Sequence, residues 1–325
     1  MSTQQGSRPI VQRVDVKTGF GCNNRCRFCV QGNKRDLFGN KTTDEVKQVL
    51  SDARKDADSI VFTGGEVTIR KDFIELVRFA RELGFSTIQV QTNGRMLAYK
   101  KFCEETVAAG ANEFSPALHG HVPELHDYLT NAPGAFKQTV QAIRNLHELG
   151  QPVITNTVIT RSNYRHLVDI AKILVGLGVK QYQFAFVHPV GEVEVNFFSV
   201  TPRMTLIEPF VKKGLQVGLS RSVVAVTEAI PFCFMNGFEQ CVAERYIPRT
   251  KIFDAKFVVD DYTEFRLTEG KAHGPRCIEC TWFHLCEGPW REYPEKYGWD
   301  EFVPRQDPCF LQPESCGCGE DGNKA

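Results

Sequence analysis

The chain has 325 residues, 42% of them hydrophobic and 24% charged, which excludes a disordered or membrane-embedded polypeptide and leaves room for one large domain or two ordinary ones. Lys+Arg and Asp+Glu each total 39, so no net charge points to a nucleic acid or an anionic membrane as partner. Met1–Pro9 is polar, without the apolar core of a signal peptide, and no run approaches the ~18 apolar residues of a membrane span. The expected compartment is the cytoplasm, where thiols stay reduced and the chain's 12 cysteines predict metal ligation rather than a disulfide framework. Three of them lie at 22–29, one at 103 and eight after residue 232.

In chain order, β-branched runs predict strands at Val11–Lys17, Ser59–Thr63, Thr87–Thr92, Ala111–Ala117, Val153–Ile159 and Gln181–Val187. Helical patterns separate them. Thr42 and Glu45 form a capping box that opens a helix through Ala53. Phe73, Leu76, Val77 and Ala80 make one apolar stripe, and Phe136, Val140, Ile143 and Leu146 another; Gly84 and Gly150 fall where helices end. Alternating strands and helices imply an α/β fold with a parallel sheet, and six such units suggest a partial (β/α)6 version of the TIM-type barrel, with a doubly wound sheet as the competing arrangement. Past Thr201 the pattern changes. Helical character runs through Ile207–Val217, Val223–Ile230 reads as a strand leading to Cys233, and short strands, turns, prolines, aromatics and cysteines follow. The expected organisation is therefore a core over 10–200, a small cysteine-rich domain over 201–315, and a Gly-rich polar tail, disordered, over 316–325.

The loop after the first strand reads Gly19-Phe20-Gly21-Cys22-Asn23-Asn24-Arg25-Cys26-Arg27-Phe28-Cys29, a C-x3-C-x2-C spacing at the strand end where parallel α/β folds build their sites. Three thiolates on one short loop can hold three irons of a 4Fe–4S cube, leaving the fourth iron for an exogenous chelate. A zinc site would need a fourth ligand, absent from the loop; Cys103 sits in a predicted helix. After the second strand comes Gly64-Gly65-Glu66, where glycines admit close approach of a ligand and a carboxylate can pair with an ammonium group.

Together these two segments resemble the signature of the radical S-adenosylmethionine (SAM) superfamily, including the aromatic Phe28 before the third cysteine. The resemblance implies that Cys22, Cys26 and Cys29 hold a SAM-cleaving 4Fe–4S cluster, and that Gly64, Gly65 and Glu66 meet the methionyl amine. Asn93, in Gln91-Thr92-Asn93-Gly94, matches a common family segment. Ser115 and Asn156 stand where family members contact the carboxylate or ribose of SAM, or else serve their own strands as backbone partners. Glu113, His119, His121 and His188 are candidates for a substrate pocket or plain loop residues.

Cys277-Ile278-Glu279-Cys280 and Cys286 read C-x2-C-x5-C and resemble the auxiliary-cluster segment of SPASM and Twitch domains. That resemblance implies a second 4Fe–4S cluster on Cys277, Cys280, Cys286 and an upstream cysteine, Cys233 first and Cys241 second. Trp290 stands where a full SPASM pattern has another cysteine, which favours a single auxiliary cluster of Twitch type; a four-cysteine zinc site is the alternative. Cys309, Cys316 and Cys318 are left over. Trp282, Phe283, Trp290, Tyr293 and Tyr297 are expected to form the small domain's core.

The family resemblance implies reductive cleavage of SAM to a 5′-deoxyadenosyl radical that abstracts a substrate hydrogen. Small-molecule biosynthesis or peptide modification would be the outcome, with a low-potential electron donor of flavodoxin or ferredoxin type as partner. A non-catalytic iron–sulfur electron carrier or metal-stabilised scaffold is the other reading, opposed by a SAM-binding carboxylate that a carrier does not need.

Overall fold

A computed structural model describes residues 11–307. Strands β1 (Arg13–Lys17), β2 (Ser59–Thr63), β3 (Thr87–Thr92) and β4 (Glu113–Pro116) pair in parallel, each with the next. Strands β5 (Ile154–Ile159), β6 (Gln181–Phe186) and β7 (Val224–Glu228) form a second parallel set. Bridges between Phe114 and Val153 and between Ala117 and Asn156 join the two sets into one curved wall. Strand β8 (Thr250–Phe253) adds in parallel to the free edge of β1, and β9 (Val258–Val259) adds antiparallel to β8. The result is an open α/β barrel whose free edges are β7 and β9. All six expected strands are present within a residue or two of the expected ends.

The sequence reading stopped the barrel at residue 200, yet the parallel wall continues through β7 and resumes at β8. Past β7 the connections consist of short 3-10 turns that carry cysteines, while strand pairing, a long-range property, carries on across the change.

Helices α1 (Lys34–Leu37), α2 (Thr43–Ala53), α3 (Phe73–Glu82), α4 (Lys100–Ala109), α5 (Pro123–Thr130), α6 (Ala135–Glu148), α7 (Leu167–Gly176), α8 (Glu192–Val200) and α9 (Met204–Leu219) follow the strands. The capping box opens α2 as expected: Thr42 Oγ1 accepts from the Glu45 amide and Glu45 returns a bond to the Thr42 amide. Strand alternation then sorts the wall into two faces. Val14, Val16, Ile60, Phe62, Ile88, Val90 and Phe114 join helix residues such as Val46, Leu50 and Leu76 in the outer core. The intervening residues, among them Asp15, Lys17, Thr63, Gln89, Glu113, Ser115 and Gln183, line the concave side. The lumen is polar.

Buried ion pairs tie the segments after β9 to the connection that follows β7. Arg266 and Lys271, both buried, bond Glu287, and Lys271 also bonds Glu244 at 2.6 Å. Burial works against charge on Lys271, but Glu244 and Glu287 outweigh it and hold the amine above its ordinary pKa. Short helices α10 (Tyr262–Phe265) and α11 (Glu292–Tyr297) flank this region. Among the described residues no helix is long and apolar enough to cross a membrane.

Candidate functional site

The cysteine loop leaves β1 and runs alongside the loop that leaves β2. The Thr18 amide donates to Thr63 O, Gly65 N to Gly19 O at 2.9 Å, and Glu66 N to Gly21 O at 2.8 Å. The glycine pair makes this possible. Gly64 has φ +136°, and a Cβ on Gly65 would lie 2.5 Å from Phe20 O and 2.7 Å from Phe20 C. The glycines bring the turn into close approach with the cysteine loop's own backbone.

Two arginines without a sequence signal brace the loop. Arg95 donates to Asn23 O and to Asn24 Oδ1, and its Nε to Gln138. Arg35 donates to Asn24 O and reaches Cys29 Sγ at 3.9 Å. Backbone bonds from Arg25 to Thr130 and from Arg27 to Leu129 fasten the loop to the end of α5.

Cys22, Cys26 and Cys29 are free, half-buried thiols. Burial, then Cys29 and Cys22, pushes the Cys26 thiol up to about 12. Burial also raises Cys22; the Asn24 amide, 3.4 Å from its sulfur, opposes this, while nearby Glu66 adds to it. Thiols that penalise one another's ionisation are what a bound cation between them relieves.

Glu66 is 2% exposed. Its Oε1 accepts from the Thr68 amide, Thr68 Oγ1 and Thr92 Oγ1, and its Oε2 from the Asn93 amide. Burial pushes this carboxyl up, against hydrogen bonds from Asn93, Thr68 and Thr92 that hold it down. A carboxylate offers about four acceptor sites in all. Three donors crowd Oε1, so the remaining capacity is on Oε2. The positioning hydroxyls of Thr68 and Thr92 went unmarked in the sequence, although both adjoin motif residues.

Asn93 therefore meets Glu66 through its backbone, and its side chain bonds Asn23. Ser115 stands on the concave side of β4, opposite Gln91. Asn156, at the β4–β5 junction, has a buried Oδ1 with no hydrogen-bond partner, an orphan acceptor of the kind a polar ligand satisfies. Phe28 is buried and packs edge-on to His119, ring centroids 4.7 Å apart. His119 is buried too. Its Nδ1 accepts from Val158 N, and burial, then His126, holds it neutral far below the ordinary histidine range. It supports the cysteine loop instead of lining a pocket. Glu113 accepts from Gln89 on the lumen side, and His188 stacks on Trp290 with ring centroids 3.9 Å apart.

The second cysteine set gathers in one apolar cleft. Cys233, Cys277, Cys280 and Cys286 line it with Pro231, Phe232 and Phe283. Burial, then Cys286, Cys277 and Cys280, raises the Cys233 thiol. Backbone amides approach three of the sulfurs: Gly274 N to Cys277 at 3.3 Å, Arg305 N to Cys280 at 3.4 Å and Gly288 N to Cys286 at 3.4 Å. Such bonds favour thiolates and tune iron–sulfur centres. Cys241 lies apart in the apolar core, as does Cys103. Trp282, Trp290 and Tyr293 are buried, as expected of core residues, whereas Phe283 and Tyr297 are half-buried and Phe283 lines the cysteine cleft. Cys309, Cys316 and Cys318, with the expected disordered tail, lie outside the described residues.

Residues 16–174 match the family model for the radical SAM superfamily. The AdoMet-dependent heme synthase of Oleidesulfovibrio alaskensis is 28% identical over 191 residues, 58% of this chain and 49% of that protein. The probable GTP 3′,8-cyclase of Saccharolobus solfataricus is 30% identical over 187 residues, 57% of this chain and 59% of that protein. The chain thus spans about half the length of the curated relatives it matches. Among solved structures, Streptococcus suis SuiB bound to S-adenosylmethionine superposes with a TM-score of 0.65 at 14% identity, over 88% of this chain and 74% of that one. SuiB bound to its precursor peptide SuiA gives 0.64 at 14% identity, over 88% and 73%. These likenesses extend the common fold past β6 into the cysteine-rich region. With the three-cysteine loop and the Gly-Gly-Glu turn inside the matched span, residues 16–174 form a domain of the radical SAM superfamily.

Proposed function

We propose that this chain is a radical SAM enzyme in which Cys22, Cys26 and Cys29 hold a 4Fe–4S cluster and Glu66 receives the ammonium group of SAM. The observation that carries this reading is Glu66, buried against the cysteine loop with an acceptor site left on Oε2. An electron carrier has no use for such a carboxylate. When bound, a cluster with one open iron would chelate SAM and pass it one electron, breaking the S–C5′ bond to give methionine and a 5′-deoxyadenosyl radical for hydrogen abstraction. The chain's own part is positional. Gly64 and Gly65 bring the two loops together, Asn93 orients Glu66, and Asn156 and Ser115 offer polar contacts to the rest of SAM.

Cys233, Cys277, Cys280 and Cys286 would fully ligate a second 4Fe–4S cluster, in a Twitch-like region built from the segments that follow β7. Three amide contacts to sulfur and an apolar lining support that assignment over zinc. The polar lumen suits a polar substrate, a small molecule or a peptide. Relatives named for heme and GTP chemistry favour the first, and the SuiB neighbour bound to a precursor peptide favours the second. A flavodoxin- or ferredoxin-type donor in the cytoplasm would supply the electron.

The test is anaerobic reconstitution followed by iron, sulfide and zinc analysis, then dithionite and SAM. About eight irons per chain with 5′-deoxyadenosine formed is the expected result. Bound zinc in place of iron, or iron without SAM cleavage, would return the chain to the carrier or scaffold class.

A further inference from the structure

Outside both cysteine sets, the rim of the barrel gathers His121, His166 and Asp169, with one ligating atom of each inside a 4.8 Å radius of the others. His121 lies in the loop between β4 and α5. His166 ends the turn that follows β5, and Asp169 sits one helical turn on, in α7, where an i,i+3 spacing puts both on one face. The two imidazoles stack with centroids 4.7 Å apart. Nδ1 of His121 is buried and has no hydrogen-bond partner. The competing partner of Asp169, Lys172, stands 3.6 Å away in a solvent-exposed pair of small energetic weight.

The scaffold is fixed before any ligand arrives. Asn163, fully buried, accepts from the Thr160 amide through Oδ1 and donates from Nδ2 to His119 O and Val158 O, both at 2.9 Å. Its own carbonyl accepts from the His166 amide at 2.8 Å. One side chain thereby locks the loop carrying His121 to the turn carrying His166.

We propose that His121, His166 and Asp169 form a site for a divalent transition metal, zinc by ligand chemistry, with a fourth position open to water. Two imidazoles and a carboxylate suit a borderline ion, and a tetrahedral zinc at about 2.0–2.2 Å from each ligand sets the ligand atoms ~3.4 Å apart. Side-chain rotation of about 1.5 Å or less closes the present spacing to that value. The ion ties the β4–α5 loop to α7, two residues from His119, which packs on Phe28 in the cysteine loop. The site is independent of the cluster assignment, since no cysteine takes part.

The experiment uses the reconstituted, iron-loaded enzyme, freed of loose metal on a chelating resin and titrated with zinc chloride. One zinc per chain should survive gel filtration, and its X-ray absorption should show nitrogen and oxygen neighbours with no sulfur shell at about 2.3 Å. His166→Ala and Asp169→Asn should each weaken zinc by more than about 100-fold, beyond the 10- to 100-fold cost of losing a supporting partner. Unchanged iron content and visible absorbance in both variants will show that the fold is kept. No zinc on the wild type, equal zinc on the variants, or a sulfur shell overturns the site.

Discussion

Replacing Gly65 by alanine isolates the contact on which the proposed centre depends. The added Cβ would stand 2.5 Å from Phe20 O, which is backbone and cannot swing aside. The cysteine loop must back away, and the bonds from Gly65 N to Gly19 O and from Glu66 N to Gly21 O stretch or break. Overpacking of this kind costs about 1–3 kcal/mol, and two backbone hydrogen bonds add ~0.5–1.5 kcal/mol each. The sum, about 2–6 kcal/mol, is a large part of a typical folding stability of ~5–15 kcal/mol, so the loop should shift before the barrel unfolds. Iron analysis after reconstitution reads the outcome. Gly65→Ala should lose the first cluster and SAM cleavage while keeping the four-cysteine cluster, so iron falls by about half. Gly39, with no atom within 4 Å of a built Cβ, is the matched control, and Gly39→Ala should keep full iron. Full iron and normal 5′-deoxyadenosine from Gly65→Ala would refute the argument that backbone contact between the two loops sets the site.

Glu66→Gln should keep the iron yet raise KM for SAM by about 10- to 100-fold, the value of a charge-assisted hydrogen bond; SAM titration followed by cleavage kinetics checks it. Cys280→Ala should lower iron while sparing the first cluster's spectrum and SAM cleavage, and a fall in zinc instead would mark a zinc site. Asp254, buried, bonds Lys17 and Lys34; burial alone would raise its carboxyl, but Lys17, helped by Lys34, draws it below the ordinary range. A depressed folded-state pKa gives stability that is present above the unfolded value, ~3.9, and lost as pH falls through the folded one. Thermal melts should therefore show the wild type losing stability below about pH 4, with Asp254→Asn less stable at pH 7 by about 3 kcal/mol and flatter in acid.

What the sequence made legible follows from the range of each interaction. Strand positions came through because alternation is local, and Val14, Val16, Ile60 and Phe62 sit in the outer core as their pattern requires. The cysteine motifs stood out because the spacing of residues on one short loop is also local. Strands β7 and β8 were assigned to another domain because pairing with β6 and β1 links residues far apart in the chain. Arg35 and Arg95 escaped notice for the same reason, since each reaches Asn24 from outside the motif. The glycine pair was found on its residue types, but only the folded loops show that Phe20 and Gly21 stand beside it.

The two cysteine sets differ in a way that a scaffold would not need. The second is closed: four thiols face one apolar cleft, and amides from Gly274, Gly288 and Arg305 approach its sulfurs. Such a set is suited to hold a cluster and adjust its potential while offering no iron to a ligand. The first has three thiols, and beside Cys22 it has a buried carboxylate with acceptor capacity to spare. Structural metal sites complete their coordination with protein ligands, whereas catalytic ones leave a position free. On the proposed reading, the open set beside Glu66 would serve substrate activation and the closed set electron handling.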